Sequence, residues 1–346
     1  MKVSVIGANH AGRDFHIPGL STFPDVDLSV CDINQPLLKT VCDQFSIPPE
    51  RRYTDYRQML EKENPEAVFV LMAQYPHANY KPDIYFKIVN EVMDQGRNVL
   101  VEKPLAMTPA EAKPLVDKAE KTGLVTMVSV NRRFNPLVSL CKKAVEQNGP
   151  VLNVNCVFTK GVDPSPKEGA LDWMAGDMIH ALDLMRFLLG SEIVEFHSVV
   201  ARTEADEVPT AFHALARCAN GATGIFSANV RAGERIQFWQ VHGVNVSAII
   251  ASEAVYPLEG GGNHMSATLY RPHEKPAVYR DVEPPTDRRY LSPTDFHVYS
   301  GFAYSDRYFI NCVYKRQQPH CNFADAYKTL CLCHQIIQGE TRVVTR

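Results

Sequence analysis

Short apolar segments alternate with amphipathic helical stretches through the first third of the chain, and no other feature constrains the fold as strongly. The apolar segments are Lys2–Ile6, Val26–Asp32, Ala67–Met72, Asn98–Val101 and Val125–Val130. This order is typical of a parallel, doubly wound sheet with helices on both faces. We therefore predict an α/β domain at the start of the chain.

The pattern changes after about Val151 to longer strands joined by tight turns. Two hairpins are predicted, one with its turn at Asn220-Gly221 and the other with its turn at His242-Gly243. Helical stretches precede and follow these strands, so we expect an α+β domain with an open, mostly antiparallel sheet and flanking helices. The chain has 346 residues, of which 45% are apolar, and this is enough for two hydrophobic cores. We place the two domains at residues 1–128 and 129–346.

Charge and hydropathy exclude several classes of protein. The 36 basic and 39 acidic residues nearly cancel and form no long run of one sign, so we expect no nucleic-acid partner. The apolar segment Met1–Ile6 runs straight into Gly7 without the features of a signal peptide, and other apolar runs are too short to cross a bilayer. We expect a cytoplasmic protein with no membrane partner.

The cysteines indicate neither a disulfide framework nor a metal site. Nine cysteines are scattered through predicted helices and strands without paired spacings, which is typical of reduced, buried thiols. Cys331 and Cys333 stand next to His334 and resemble metal ligands at first sight. Two residues apart on a helix, however, they point roughly 200° apart. We therefore expect no bound metal.

A glycine-rich turn follows the first predicted strand. Its sequence is Gly7-Ala8-Asn9-His10-Ala11-Gly12, and it opens a helix. In this context backbone N–H groups and the helix N-terminus can bind a pyrophosphate, although Asn9 stands where the usual motif has a second glycine. Asn accepts left-handed backbone better than most residues, so the turn can form. The alternative interpretation is an ordinary strand-to-helix turn.

Asp32 strengthens the interpretation as a dinucleotide site. It ends the second predicted strand, 20 residues after Gly12, where a carboxylate would accept hydrogen bonds from the adenosine ribose. The same charge would repel a 2′-phosphate, and no arginine lies beside it to bind one. We predict NAD as the cofactor in preference to NADP. The alternative is that Asp32 only caps the next helix.

A further set of motifs carries a family resemblance. The set comprises Val101-Glu102-Lys103-Pro104-Leu105-Ala106, His16-Ile17-Pro18, His77, Asn131-Arg132-Arg133-Phe134-Asn135-Pro136, and His180 with Asp183. With the glycine-rich turn, these motifs make the chain resemble, nearly end to end, the glucose-fructose oxidoreductase, inositol dehydrogenase and rhizopine-catabolism (Gfo/Idh/MocA) family. The segments Arg231-Ala232-Gly233 and Gly301-Phe302 to Cys312 look most like its MviM-type branch, historically labelled virulence factors.

The resemblance implies an NAD(P)-dependent oxidoreductase with a Rossmann domain and a C-terminal substrate-binding and oligomerisation domain. Members of the family oxidise or reduce a carbinol carbon of a sugar, inositol or related compound. A sugar-like or polyol substrate is therefore expected, together with a homodimer or homotetramer formed through the C-terminal sheet. The alternative is a sensor or regulatory protein that binds the dinucleotide without turnover.

Several residues take cofactor and catalytic roles by resemblance. Lys103 matches the family lysine that hydrogen-bonds the reacting hydroxyl, and an ammonium there would stabilise a developing alkoxide. Glu102 would position Lys103 or the nicotinamide ribose, unless it is a structural strand-end carboxylate, and Pro104 would hold the turn. The residues expected at the cofactor are Gly7, Asn9, His10, Gly12, Asp32, His77, Glu102, Lys103 and Pro104. His77 either lines the cofactor cleft or caps its loop.

The second domain supplies the remaining candidates. His180 matches the family's catalytic histidine, but Gly176 stands where the usual aspartate precedes it by four residues. Asp177, three residues before His180, lies on roughly the same face of a helix and is predicted to replace that aspartate. Substrate-binding candidates are Arg132, Arg133 and Asp183. For the two arginines, salt bridges are the alternative role, and for Asp183 a structural role is favoured, in which it ties its helix to neighbouring elements.

Overall fold

The structure is a computed structural model and describes residues 1–72, 82–161, 169–233, 235–254, 263–280 and 296–344. Contacts divide the chain into two compact units. The first unit comprises Met1–Asn131 and Thr294–Lys328, and the second comprises Arg132–Pro293 and Thr329–Arg346.

The strands, in chain order, are β1 (Lys2–Ile6), β2 (Asp27–Cys31), β3 (Arg52–Tyr53), β4 (Ala67–Val70), β5 (Asn98–Glu102), β6 (Thr126–Ser129), β7 (Val151–Thr159), β8 (Ile193–Thr203), β9 (Ala211–Cys218), β10 (Thr223–Asn229), β11 (Ile236–Gly243), β12 (Val246–Ala254), β13 (Asn263–Tyr270), β14 (Ala277–Arg280) and β15 (Glu340–Val344). The α-helices are α1 (Ile17–Leu20), α2 (Gln35–Gln44), α3 (Tyr56–Glu63), α4 (Pro82–Asp94), α5 (Pro109–Thr122), α6 (Pro136–Glu146), α7 (Ala170–Trp173), α8 (Ile179–Leu189), α9 (Phe296–Tyr299), α10 (Phe302–Lys315) and α11 (Phe323–Ile337).

The first unit is built on a six-stranded parallel sheet with the order β3-β2-β1-β4-β5-β6. Its central strands are buried along nearly their whole length, as expected for a sheet covered on both faces. In α5 the sequence determines where the helix begins and ends. Thr108 and Glu111 form a reciprocal capping box at its start, and Gly123 ends it in the left-handed conformation. The predicted doubly wound α/β fold is confirmed.

The end of the chain also contributes to the first unit. On α10, Phe302 stacks on Phe15 with ring centroids 4.5 Å apart, and Phe309 meets Phe69 edge to face at 5.5 Å. Residues 294–328 therefore group with the six-stranded sheet, whereas the sequence led us to place them in the second domain. The sequence pattern did not reveal this because the packing joins segments that lie far apart in the chain, such as Phe15 with Phe302 and Phe69 with Phe309.

The second unit holds a nine-stranded sheet with the order β14-β13-β12-β11-β7-β10-β9-β8-β15. All described pairs are antiparallel except β7 with β10 and β8 with β15, so the predicted mostly antiparallel sheet is confirmed. Helices α6 and α8 pack on one face and bury Phe158, Phe226 and Trp239 beneath them.

One predicted turn is correct and the other is displaced. Asn220-Gly221 joins β9 to β10, with Gly221 at a φ of 87°. The second turn lies at Val244 and Asn245, not at the predicted His242-Gly243, which belongs to β11. Asn245 takes the left-handed conformation (φ 56°), a role that asparagine tolerates. Gly243 serves instead for close packing, because a Cβ there would clash with the Val145 side chain.

The cysteines are all free thiols, and all but Cys331 are buried. Within the described part of the chain, no helix is both long enough and apolar enough to span a membrane.

Candidate active site

The glycine-rich turn after β1 tolerates only glycine at its two ends. Gly7 has a φ of +107°, and a Cβ there would lie 2.8 Å from the carbonyl oxygen of Leu71. A Cβ at Gly12 would overlap the carbonyl oxygen of Gly7. The first helical turn therefore packs directly against the end of β1. At Gly7 and Gly12 no side chain covers the backbone of the turn. Such a cradle fits the pyrophosphate of a dinucleotide.

Asn9 and His10 form the exposed rim of this turn. The Asn9 carbonyl accepts the N–H of Arg13 at 2.7 Å, so the asparagine is tied to the wide, π-helical turn over Ala11–His16 that follows it. His10 Nδ1 lies 2.7 Å from Asp14 Oδ2, and the His10 ring packs edge to face on Phe15. Asn9 in place of a glycine is thus accommodated by pointing outward.

Asp32 is bound to the glycine-rich turn through its side chain. Its Oδ2 accepts the N–H of Ala8 and its Oδ1 accepts the N–H of Asn34, both at 2.8 Å. The N-cap of α2 is Asn34, whose side chain accepts the N–H of Leu37, so capping that helix is not the task of Asp32. Each carboxylate oxygen has a second lone pair and remains a possible acceptor for a ribose hydroxyl.

Ile33 is a residue that sequence reasoning missed. It follows Asp32 directly and is 90% exposed, the most exposed large apolar side chain among those the structure describes. Its position beside the candidate ribose acceptor suits contact with an adenine ring. The sequence signal was an isolated apolar residue in a loop, which is weak because single exposed apolar residues are common.

The Glu102-Lys103-Pro104 segment ends β5 at the same edge of the sheet. Glu102 is 8% exposed, and its Oε2 accepts the backbone N–H of Lys103 at 3.2 Å. The Lys103–Pro104 peptide bond is cis. Tyr85, fully buried on α4, donates a hydrogen bond to the carbonyl of Leu105 at 3.1 Å. The turn that carries the half-buried Lys103 is thus fixed on both sides.

His16 is the second residue that sequence reasoning did not single out for a role. Its Nε2 lies 2.8 Å from Glu102 Oε1, and its Nδ1 lies 2.8 Å from Oδ1 of Asp306 on α10. Both His16 and Asp306 are fully buried. Since each ring nitrogen faces a carboxylate oxygen, the arrangement is satisfied when both nitrogens carry hydrogen, as in an imidazolium.

The electrostatics of this cluster agree with a charged His16. Burial by itself lowers the pKa of His16, but the charge and hydrogen bond of Asp306, with those of Glu102, outweigh burial and raise it to about 10. Burial raises the pKa of Asp306, and the facing imidazolium opposes that shift. The result is a buried charge cluster, Glu102–His16–Asp306, that lies directly behind the Lys103 turn.

In the second unit, Asp177 and His180 lie where a π-helical turn (Met174–Met178) meets α8. The Asp177 carboxylate pairs with the ammonium of Lys160, which lies 5.7 Å from the Trp173 ring centroid. The predicted Asp177–His180 pair stays a prediction. The π turn was not expected from the sequence, and it changes the angular spacing that we assumed for an ordinary α-helix.

Arg133 and Asp183 form a buried ion pair. Arg133 donates from Nε and Nη2 to the two oxygens of Asp183, with Nε 2.6 Å from Oδ2. Asp183 Oδ1 also accepts a hydrogen bond from Thr329 at 3.2 Å. The salt-bridge alternative therefore describes Arg133, and Asp183 ties α8 to α11.

Arg132 is buried in a different way. Its guanidinium donates to Gln237 and lies 5.6 Å from the ring centroid of Trp239. Burial, followed by the nearby charge of Arg235, lowers the pKa of Arg132 to about 9. The indole of Trp239 donates at 3.2 Å to the carbonyl of Ala181, the residue after His180. Arg132 thus lies beside the start of α8.

The structure brings the predicted residues together in two groups. The first unit holds Gly7, Asn9, His10, Gly12, Asp32, Glu102, Lys103 and Pro104, and the second holds Arg132, Arg133, Asp177, His180 and Asp183. His77 lies outside the described residues.

Comparison with known proteins identifies both parts of the chain. Residues 1–130 match the oxidoreductase family with an NAD-binding Rossmann fold, GFO_IDH_MocA, and residues 142–249 match the GFO/IDH/MocA C-terminal domain. The relatives include the uncharacterized oxidoreductase YrbE of Bacillus subtilis, 26% identical over 56% of this chain. This match spans only 55% of the length of YrbE.

Two longer matches agree with this assignment. Myo-inositol 2-dehydrogenase of Thermotoga maritima is 26% identical over 78% of this chain and 82% of its own. The solved dehydrogenase MviM of Clostridium difficile superimposes with a TM-score of 0.77 over 98% of this chain and 99% of its own, at 15% identity, which shows a shared fold. The chain therefore belongs to the Gfo/Idh/MocA family of oxidoreductases, with an NAD(P)-binding Rossmann domain followed by the family's C-terminal domain.

Proposed function

We propose that the protein is an NAD-dependent dehydrogenase or reductase that acts on a carbinol or keto carbon of a sugar, inositol or sugar derivative. The observation that carries this proposal is the glycine-only cradle at Gly7 and Gly12, with the Asp32 carboxylate bound beside it and Lys103 at the same sheet edge. The substrate class is supported by the myo-inositol 2-dehydrogenase relative.

The residues of the first unit fit the cofactor. The backbone of the glycine-rich turn would hold the pyrophosphate, Asp32 the adenosine ribose and Ile33 one face of the adenine. When bound, the nicotinamide supplies or accepts the hydride. Asp32 favours NAD, because its charge would face the 2′-phosphate of NADP.

The proton is handled by the protein. We assign Lys103 to the hydrogen bond with the reacting hydroxyl, where its ammonium stabilises the developing alkoxide. His180 accepts the hydroxyl proton during oxidation and returns it during reduction. Asp177 favours the imidazolium that forms, and Lys160 holds the Asp177 carboxylate in place.

Arg132 is the preferred substrate contact among the three candidates. Arg133 and Asp183 pair with each other in a buried ion pair, whereas among the described residues the hydrogen-bond partner of Arg132 is the neutral Gln237. A guanidinium paired in this way can still donate to a hydroxyl or an anionic group of the substrate.

A turnover screen tests the proposal. The purified protein is incubated with inositols, hexoses and sugar nucleotides, each with NAD or NADP, and the reduced-nicotinamide absorbance band is followed. We expect steady NADH formation with at least one member of this panel. Tight NAD binding without turnover of any substrate, in either direction, would instead indicate the sensor alternative.

The outer face of the large sheet is proposed to pair two copies of the chain. α6 and α8 cover the inner face, whereas Val199, Leu215 and Ile225 project from the other face and are 40%, 53% and 47% exposed. Leu215 and Ile225 are direct cross-strand partners on β9 and β10. Changing Leu215 to Glu should convert a dimer to a monomer in light-scattering measurements. A parent that is already monomeric would refute the pairing.

A further inference from the structure

The hydrogen bonds of His16 link distant parts of the chain to the turn that carries Lys103. Asp306 lies 290 residues from His16, and Glu102 immediately precedes Lys103. His16 and Asp306 have no exposed surface, and Glu102 has almost none. Burying ionised groups is costly because each loses its hydration, so their presence requires an explanation beyond filling space.

Three hydrogen bonds run in series from α10 to the backbone of Lys103. Asp306 Oδ1 to His16 Nδ1 and His16 Nε2 to Glu102 Oε1 are each 2.8 Å, and Lys103 N to Glu102 Oε2 is 3.2 Å. Because both oxygens of Glu102 are engaged, the carboxylate cannot rotate without breaking one of these bonds. The last bond fixes the backbone from which the Lys103 side chain extends.

Packing alone does not call for a charged ring at position 16. The ring lies between Phe69 and Phe302, with centroid distances of 5.9 Å and 5.2 Å. An apolar side chain would fill the same space without the desolvation cost of three ionisable groups. A neutral imidazole would also serve less well, since it has one N–H and would turn a lone pair toward one of the two carboxylates.

We propose that His16 and Asp306 are positioning residues, which hold the Lys103 turn in place through Glu102. This inference rests on the proposed function, in which Lys103 contacts the reacting hydroxyl. A displacement of about 1 Å at a reacting group can cost about 10²-fold in rate, so a fixed backbone at Lys103 has a direct catalytic value. α10 thereby contributes to catalysis from the far end of the chain.

Amide exchange tests the geometry without any substrate. The variants are His16→Gln and Asp306→Asn, and the control is Ser305→Ala, which changes a fully buried neighbour of Asp306 on the same helix. Hydrogen exchange of the Lys103 amide, resolved by NMR, should be about 10-fold faster in both variants and unchanged in the control. Parent-like protection of that amide in both variants would overturn the inference.

Kinetics with an identified substrate test the consequence. We expect kcat to fall about 10-fold or more in both variants, with KM and the Kd for the dinucleotide changed less than about threefold. Each protein is assayed well below its own unfolding midpoint, so that a loss of stability is not counted as a loss of rate. If His16→Gln does not fold, Asp306→Asn still removes one charge and leaves the His16–Glu102 contact. Parent-like kcat in the folded variants would contradict the positioning role.

A double-variant cycle identifies the residue through which His16 acts. Added to Lys103→Met, the His16→Gln change should lower kcat no further, because the group that it positions is already gone. Fully additive losses would show that His16 acts elsewhere. If the parent turns over no substrate at all, the proposed function fails, and the exchange experiment still decides the inference.

Discussion

The two units handle buried charge differently. In the first unit, the ionisable groups behind the Lys103 turn pair with one another, since His16 contacts both Glu102 and Asp306. In the second unit, Arg133 and Asp183 likewise form a buried ion pair. Arg132, by contrast, is buried against the amide of Gln237 and the indole of Trp239, and the Asp177 side chain is partly exposed.

The difference corresponds to what each unit is proposed to bind. A dinucleotide is an invariant ligand, so the backbone and charges that receive it can be fixed in advance. A substrate site has to be specific for one compound among many, and buried donors that lack a charged protein partner give that specificity when a ligand group meets them. Five predictions test this contrast, from the largest expected effect to the smallest.

Removing one charge from the buried Arg133–Asp183 pair of the second unit should have the largest effect on stability. Asp183→Asn removes the charge with which buried Arg133 pairs, so the free energy of unfolding should fall by about 3–5 kcal/mol. Asp177→Asn is the matched control on the same stretch of helix, and its partly exposed pair with Lys160 should contribute less than about 1 kcal/mol. Denaturant titrations of both variants measure this. Equal losses of unfolding free energy in the two variants would show that the buried and the partly exposed ion pair do not differ.

Lys103→Met should lower kcat by about 10²-fold or more, while the dinucleotide Kd and the unfolding midpoint stay close to those of the parent. Methionine keeps most of the packing of the side chain and removes only its charge. Steady-state kinetics and fluorescence titration of NADH report the two quantities separately. Full activity in this variant would exclude Lys103 from the chemistry.

The His16 cluster should make the first unit sensitive to alkali. The pKa of His16 is raised from 6.5 to about 10 in the folded protein. Its contribution to stability is therefore complete below about pH 6.5 and is lost as the pH rises toward 10, with a slope of at most about 1.4 kcal/mol per pH unit. The stability difference between the parent and His16→Gln should shrink over this range in urea titrations. A constant difference would show that His16 is not the titrating group.

Asp32→Ala should change cofactor selectivity about 10-fold in favour of NADP, because it removes both the ribose acceptor and the charge that opposes a 2′-phosphate. Fluorescence titration with NADH and NADPH at fixed ionic strength gives both Kd values. Equal affinities in the parent would contradict the assignment of Asp32.

The smallest effect is expected at Asp177. Oxidation requires neutral His180, so the acidic limb of the kcat/KM profile should disappear in His180→Ala. In Asp177→Asn that limb should move to lower pH by less than about one unit, because a nearby carboxylate favours the imidazolium. Profiles identical to the parent in both variants would mean that α8 serves packing rather than proton transfer.

The sequence predicted what depends on neighbouring residues and missed what depends on distant ones. The strand-helix alternation and the Asn220-Gly221 turn follow from local periodicity and spacing. The His16–Asp306 contact spans 290 residues and belongs to no local pattern. The turn at Asn245 was misplaced for a different reason, because Gly243 is required for close packing and not for a turn.

The assignment of Thr294–Lys328 to the first unit has a consequence for synthesis on the ribosome. Translation delivers Met1–Asn131 long before the residues that complete the same core. Until α10 emerges, a nascent chain exposes the Phe15 and Phe69 surfaces that α10 later covers, and it lacks the Asp306 carboxylate that faces His16. The nucleotide-binding unit is therefore expected to reach its native state only after strands β7–β14 of the second unit have been translated. For this protein, the domain that begins first in the gene waits for residues that are translated after most of the second domain.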